Sequence, residues 1–153
     1  MSMKRFLIIT SLLLATATIA SATMFNIFDN DTPIKYSELP DKAQTFIKKH
    51  YAKSDISHII KDVEFAKTEY KVVFTNGVKL EFDSNGEWTE IDCRYTNVPT
   101  AAVPNEIADY IKTHYPSSKI IEINRDSREW EVKITGGLEI TFNNAFDVVE
   151  IDD

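Results

Sequence analysis

The chain has 153 residues, 43% of them hydrophobic, and 17 basic against 24 acidic side chains give it a net charge of −7. So large a hydrophobic share belongs to a folded core and excludes a disordered chain, while the acidic balance leaves no broad electrostatic footprint for nucleic acid. One cysteine, Cys93, excludes an internal disulfide framework and any multi-cysteine zinc site.

At the N-terminus, Lys4 and Arg5 precede an apolar run from Phe6 to Ala20, and the run closes on Ala20-Ser21-Ala22. A positive start, an apolar middle and small residues at the end make the secretory export pattern, so residues 1–22 read as a signal peptide cleaved after Ala22. Thr10, Ser11, Thr16 and Thr18 dilute the run, which is shorter than the roughly 20 apolar residues a bilayer core requires. No membrane span is therefore expected in the mature chain, and the expected location is periplasmic or secreted. Cleavage removes Lys4 and Arg5 and takes the net charge to −9. Residues 23–36 contain Asp29, Asn30, Asp31, Thr32 and Pro33 and read as a flexible leader.

The remainder is organised by an internal repeat. Leu39 to Ile56 aligns with Val103 to Ile120, with seven of 18 positions identical, among them Pro40/Pro104, Ile47/Ile111, His50/His114 and Tyr51/Tyr115. Further on, Tyr70 to Asp92 aligns with Trp130 to Asp152, and Glu90-Ile91-Asp92 recurs as Glu150-Ile151-Asp152. The offset falls from 64 to 60, which places a four-residue shortening in the hairpin between the first two strands of the second copy. These segments define repeat 1 over 37–93, a linker over 94–102 and repeat 2 over 103–153.

Each repeat predicts one helix and four antiparallel strands, an α+β architecture in the order αββββ. Pro40 and Pro104 suit the first turn of a helix, where no amide partner is lost. Ala43, Phe46, Ile47 and Tyr51 then fall on one helical face, as do Ile107, Tyr110, Ile111 and Tyr115. Strands follow near Ile56–Val63, at Tyr70–Phe74, Val78–Phe82 and Trp88–Asp92, with counterparts near Lys119–Asp126, at Trp130–Ile134, at Leu138–Phe142 and at the C-terminus. Asn76-Gly77 and Gly136-Gly137 predict two-residue hairpin turns, with positive φ at both positions. A unit of about 60 residues is marginal alone, so the two sheets are expected to adjoin and hide two strand edges.

Strict alternation along the strands assigns Tyr70, Val72, Phe74, Val78, Leu80, Phe82, Thr89 and Ile91 to the helix side, with Val149 and Ile151 matching Thr89 and Ile91. It assigns Lys71, Val73, Lys79, Glu81, Trp88 and Glu90 to the open side, along with Glu131, Lys133, Glu139, Thr141, Val148 and Glu150. Trp88 is the most informative of these, because an aromatic among mixed charges on an open sheet is a candidate protein-recognition residue. Packing of Trp88 on neighbouring strands is the competing reading. The candidate binding set is Trp88, Val73, Lys71, Lys79, Glu90, Lys133 and Val148.

Catalytic and metal patterns are weak. His50 and His114 sit beside the core stripe of their helices and suit helix ends better than a metal. Counted from Asp29, a calcium loop needs Gly at position 6 and Glu at position 12, where Ile34 and Pro40 stand. The pairs Glu90/Asp92 and Glu150/Asp152 are spaced along one strand face, without the environment that separates a general acid from a general base. Cys93 reads as a free, partly buried thiol, with an intermolecular disulfide as its alternative. No catalytic residue, metal site or cofactor is assigned, and the oligomeric state is left open.

An N-terminal signal followed by two copies of Leu/Val-Pro…Phe/Tyr-Ile…His-Tyr resembles the periplasmic PepSY-like proteins of gut and oral Bacteroidetes, also called beta-lactamase-inhibitor-like. Leu39-Pro40, His50-Tyr51, Asn76-Gly77 and Gly86-Glu87-Trp88 carry the resemblance, which covers residues 37–153. It implies tandem helix-plus-sheet units shaped like the beta-lactamase inhibitory protein, which binds an enzyme through a concave sheet face. Related PepSY domains are held to restrain peptidases. The expected function is a non-enzymatic module that recognises a protein or peptide through its open sheet face, as an inhibitor of an enzyme or protease. The alternatives are a structural or envelope-stress protein without a fixed partner and a small-ligand-binding protein. Repeat 1 from residue 39 has a charge of −2 and repeat 2 a charge of −6, which favours basic partners.

Overall fold

The computed structural model describes residues 31–153. The export signal and residues 23–30 of the leader lie outside the described residues. Among those described, no helix is long and apolar enough to cross a membrane.

Among the described residues, two α-helices lie against one nine-stranded antiparallel sheet whose strands follow one another in chain order. After β1 (Thr32–Pro33) come α1 (Asp41–His50), β2 (Ile56–Glu64), β3 (Lys67–Phe74), β4 (Lys79–Phe82) and β5 (Trp88–Asp92). Then follow α2 (Asn105–His114), β6 (Ile120–Arg125), β7 (Glu129–Ile134), β8 (Glu139–Asn143) and β9 (Val148–Asp152). The junction between the halves is the β5–β6 ladder, where Glu90, Ile91 and Asp92 pair with Asn124, Ile123 and Glu122.

Both helices start at a proline and end at a tyrosine whose amide bonds back four residues, Tyr51 to Ile47 at 2.7 Å and Tyr115 to Ile111 at 2.8 Å. Asp41 in the first turn of α1 and Lys48, Lys49 and His50 in its last turn complement the helix dipole. Ala43, Ile47, Ile107 and Ile111 are buried in a single core cluster. In register across the sheet beneath them run Ile59, Val72, Leu80, Ile91, Ile123, Val132 and Ile140. All seven are at most 4% exposed. This row supplies the burial that two short helices need for stability.

Two details differ from the sequence expectation. The hairpin after β3 is a three-residue loop, not a two-residue one. Gly77 donates to the Phe74 carbonyl at 3.0 Å and only Gly77, not Asn76, has positive φ, a turn followed by a left-handed residue. The equivalent loop after β7 has positive φ at Gly136 and Gly137, with Gly137 donating to Ile134. The end of the expected leader is structured: β1 pairs with β2, Ile34 donates to the Ile59 carbonyl at 3.0 Å, and Ile34 and Tyr36 pack on the core. Pro33 is tolerated there because an outermost strand needs no amide on its outer side. The shortening expected of the second copy is present: β2 and β3, with Ile56 opposite Phe74, form a longer hairpin than β6 and β7, with Ile120 opposite Ile134, and Phe65 at the tip of the longer one is 96% exposed with φ of 51°.

Cys93 is a free thiol with no exposed surface, its Sγ 3.7 Å from the Tyr51 hydroxyl. Burial pushes the thiol pKa up, so the sulfur is neutral and shielded.

Candidate functional site: the open sheet face

The face away from the helices carries two registered rows of side chains, polar except for Val73. One row runs Lys71, Glu81, Glu90, Asn124, Glu131, Thr141, Glu150 across β3 to β9. The other runs Val73, Lys79, Asp92, Glu122, Lys133, Glu139, Asp152 over the same strands. Lys71, Val73, Lys79, Glu90 and Lys133 of the candidate set thus lie together on this face, where alternation places them.

Trp88 and Val148 do not lie there. Trp88 pairs with Phe82, and the register shifts by one residue between Glu81 and Phe82. Val148 pairs with Phe142 across an identical shift in the second half. Each shift is a β-bulge, in which two residues of one strand face one residue of its neighbour and the alternation of faces is reset. Thr89 and Val149 are the extra residues, so neither follows the inward parity expected of it. Trp88 is 8% exposed and packs on the helix side, with ring centroids 6.4 Å from Phe46 and 5.9 Å from Trp130. The Arg125 guanidinium lies 4.1 Å over its ring, and Arg125 Nε donates to the Trp88 carbonyl at 2.6 Å. Beside them a groove of about 490 Å³ is lined by Phe46, His50, Trp88, Ala102 and Arg125. A bulge leaves little trace in a sequence; the one available signal was the shared spacing from Phe82 to Trp88 and from Phe142 to Val148.

The centre of the open face is electrostatically loaded. Glu81 and Glu90 face each other directly across β4 and β5, and like charges placed so are unfavourable. Lys71, opposite Glu81, offsets part of this repulsion and also pairs with Asp62 at 2.8 Å. Asn124 donates to Glu122 at 3.2 Å while its Oδ1 is buried without a partner. Thr141 is 7% exposed. Burial raises the carboxyl of Glu81. Burial first, then the charges of Glu81, Glu122 and Asp92, push Glu90 up to about 7, with Lys79 opposing. The face therefore carries clustered carboxylates that a cationic donor would stabilise.

The perturbed carboxyl has a stability consequence. An unfolded glutamate titrates near about 4.3, so the folded state holds this proton more tightly. The stabilisation is complete below the unfolded pKa and is lost as pH rises through about 7. Glu90→Gln is expected to be more stable than the parent at pH 8 by on the order of 1 kcal/mol, discounted for partial solvent screening. Near pH 4 the two should be equal. Urea unfolding at both pH values measures this, and the same difference at each would remove Glu90 as its source.

Among the described residues no three His, Cys, Asp or Glu side chains are gathered as metal ligands. His114 Nδ1 lies 3.0 Å from the Tyr110 carbonyl at the end of α2, and its ring stacks on Tyr110 at 4.1 Å. His50 packs on Phe46 at 4.7 Å.

A family model described as beta-lactamase-inhibitor-like, PepSY-like matches residues 26–69 and 68–150. A crystal structure of a Bacteroides vulgatus periplasmic protein is 44% identical and superposes with a TM-score of 0.80, covering 82% of this chain and 98% of that one. A Bacteroides thetaiotaomicron protein, named as calcium-regulated and periplasmic, is 40% identical with a TM-score of 0.78, covering 80% and 97%. A second B. vulgatus periplasmic protein, of unknown function, is 32% identical with a TM-score of 0.76, covering 80% and 99%. No curated protein matches the chain.

Proposed function

Because the chain belongs to the beta-lactamase-inhibitor-like, PepSY-like family, we propose that it is a non-enzymatic periplasmic module whose open sheet face recognises a basic protein or peptide segment. The carrying observation is the pair of polar rows, in which Glu81, Glu90, Asp92 and Glu122 meet at the centre of the sheet. Lys71, Lys79 and Lys133 interrupt the acidic field and give it a pattern, so a partner must match charge by position and not only by total. Inhibition of an enzyme is the form of recognition that the family name suggests. Duplication of a helix-plus-four-strand unit, 37–93 and 103–153 joined by 94–102, built the broad face. The shared bulges at Phe82/Trp88 and Phe142/Val148 support that origin.

The test is crosslinking of the secreted chain to periplasmic extract, with Glu90→Lys/Glu122→Lys as the comparison. Capture of a specific partner should fall by at least about tenfold in the double variant. It should fall with added salt, and also as pH drops below about 7, where Glu90 loses its charge. A partner indifferent to all three changes would overturn the reading. The small-ligand alternative rests on the groove beside Trp88, whose occupant would alter Trp88 fluorescence and ignore charge reversal on the opposite face.

A further inference from the structure

The apolar row beneath the helices does not stop at Ile140. Its next member is Ile151, paired with Ile140 on β9. There the burial fails: Ile151 is 45% exposed. β9 is the last strand of the sheet, and among the described residues no strand pairs with its outer edge.

The first half of the molecule shows the same strand with that edge filled. β5 and β9 share Glu-Ile-Asp, pair with their preceding strands in the same register, and carry the same bulge. On β5 the outer edge is taken by β6, with Asn124, Ile123 and Glu122 opposite Glu90, Ile91 and Asp92. Ile91 consequently has no exposed surface. The contrast between Ile91 and Ile151 is the mark of the missing neighbour.

The opposite edge of the sheet is closed in another way. β1 lies on β2 at Ile60 and Lys61, and Ile34 bonds to Ile59. Pro33 has no amide to extend a ladder outward. A second copy offering its β2 edge to β9 would meet β1 there. A second copy offering β9 would bring Glu150 and Asp152 against the same acidic strand, and like charges placed opposite are unfavourable.

We propose that β9 accepts an extended segment of a partner protein as a tenth, antiparallel strand, with an apolar residue opposite Ile151 flanked by lysine or arginine opposite Glu150 and Asp152. The β6 ladder supplies the register, and the −6 charge of the second repeat supplies the preference for basic flanks. Backbone bonds give such a strand its affinity, and alternate side chains give it specificity. This does not depend on the open-face reading, because a partner can lie on the face without entering the ladder.

The probe is a short synthetic peptide alternating isoleucine and lysine, set against a twin N-methylated at alternate amides, with identical charge and no capacity to complete a ladder. Added to the secreted chain, the first peptide should slow amide exchange in β9 by at least about tenfold, and the twin should not. Ile151→Asp adds attraction for a basic peptide yet removes the apolar contact, so ladder addition predicts binding roughly tenfold weaker and adsorption to the acidic face predicts tighter binding. Protection in β9 that is lost with either change supports the proposal. Equal binding by the twin, tighter binding by Ile151→Asp, or protection away from β9 overturns it. Glu90→Lys separates the two readings: if it alone abolishes binding, the face holds and the edge is excluded.

Discussion

Trp88→Ala is expected to cost about 3–5 kcal/mol of folding stability, the range for deleting a large buried aromatic side chain. The indole is 8% exposed and lies among Phe46, Trp130 and Arg125. Phe46 sits on α1, while Trp130 and Arg125 belong to the second half of the sheet, so one side chain joins a helix of the first half to strands of the second. Arg125 is held there by the Trp88 carbonyl and by Glu87, 3.5 Å from its guanidinium. Removing the ring leaves a cavity and strips the guanidinium of its stacking surface, a contact of about 0.5–2 kcal/mol in its own right. Trp88→Phe keeps the Phe46 packing and should lose substantially less. Equilibrium urea unfolding measures both. A Trp88 on the open face would behave oppositely, with stability changed by about 0.5 kcal/mol or less and partner capture lost.

That difference shows where the sequence was sufficient and where it was not. Helix positions were legible because Pro40 and Pro104 and the repeated apolar stripes are local signals with a fixed period. The association of the halves followed from size: two units too small to stand alone, with no disulfide, must pack together, and the β5–β6 ladder shows that they do so through a shared edge. Lys71, Val73, Lys79, Glu90 and Lys133 were placed on one face by alternation, which holds wherever the ladder is regular. Trp88 and Val148 were misplaced because one inserted residue, Thr89 or Val149, inverts parity for everything beyond it, and the inserted residue has no required identity. The left-handed Phe65 and Phe146 were equally invisible, since aromatic residues rarely adopt that conformation. The charge of Glu90 could not be read at all before its cross-strand neighbours were known. Glu81 comes from a neighbouring strand, but Glu122 lies beyond the linker and reaches Glu90 only through the β5–β6 ladder.

Gly86→Ala should lower stability by about 2–4 kcal/mol, an effect with two separable parts. Gly86 has φ of +79°, and a Cβ built there falls 2.7 Å from the Pro40 Cβ and 3.0 Å from the Ala43 amide nitrogen. The left-handed conformation alone costs an L-residue roughly 1–2 kcal/mol. The rest is the clash, and it cannot be relieved cheaply, because Pro40 and the Ala43 backbone form the rigid start of α1. Gly136 is the internal control: its φ of +103° is just as restrictive, but no atom lies within 4 Å of the added Cβ. Gly136→Ala should therefore show the conformational cost without the steric one. The second half supports the division. Its equivalent turn keeps the same scaffold, with Asn143 Oδ1 accepting from Ala145 and Asp147 as Asp83 Oδ1 accepts from Asn85 and Glu87. Yet it carries Phe146 where Gly86 stands, at φ of 61° and packed 5.7 Å from Trp130. The turn geometry by itself thus accommodates a side chain; the close approach of α1 makes glycine necessary in the first half. Thermal unfolding of the two alanine variants tests this, and equal losses at Gly86 and Gly136 would show that helix contact contributes nothing.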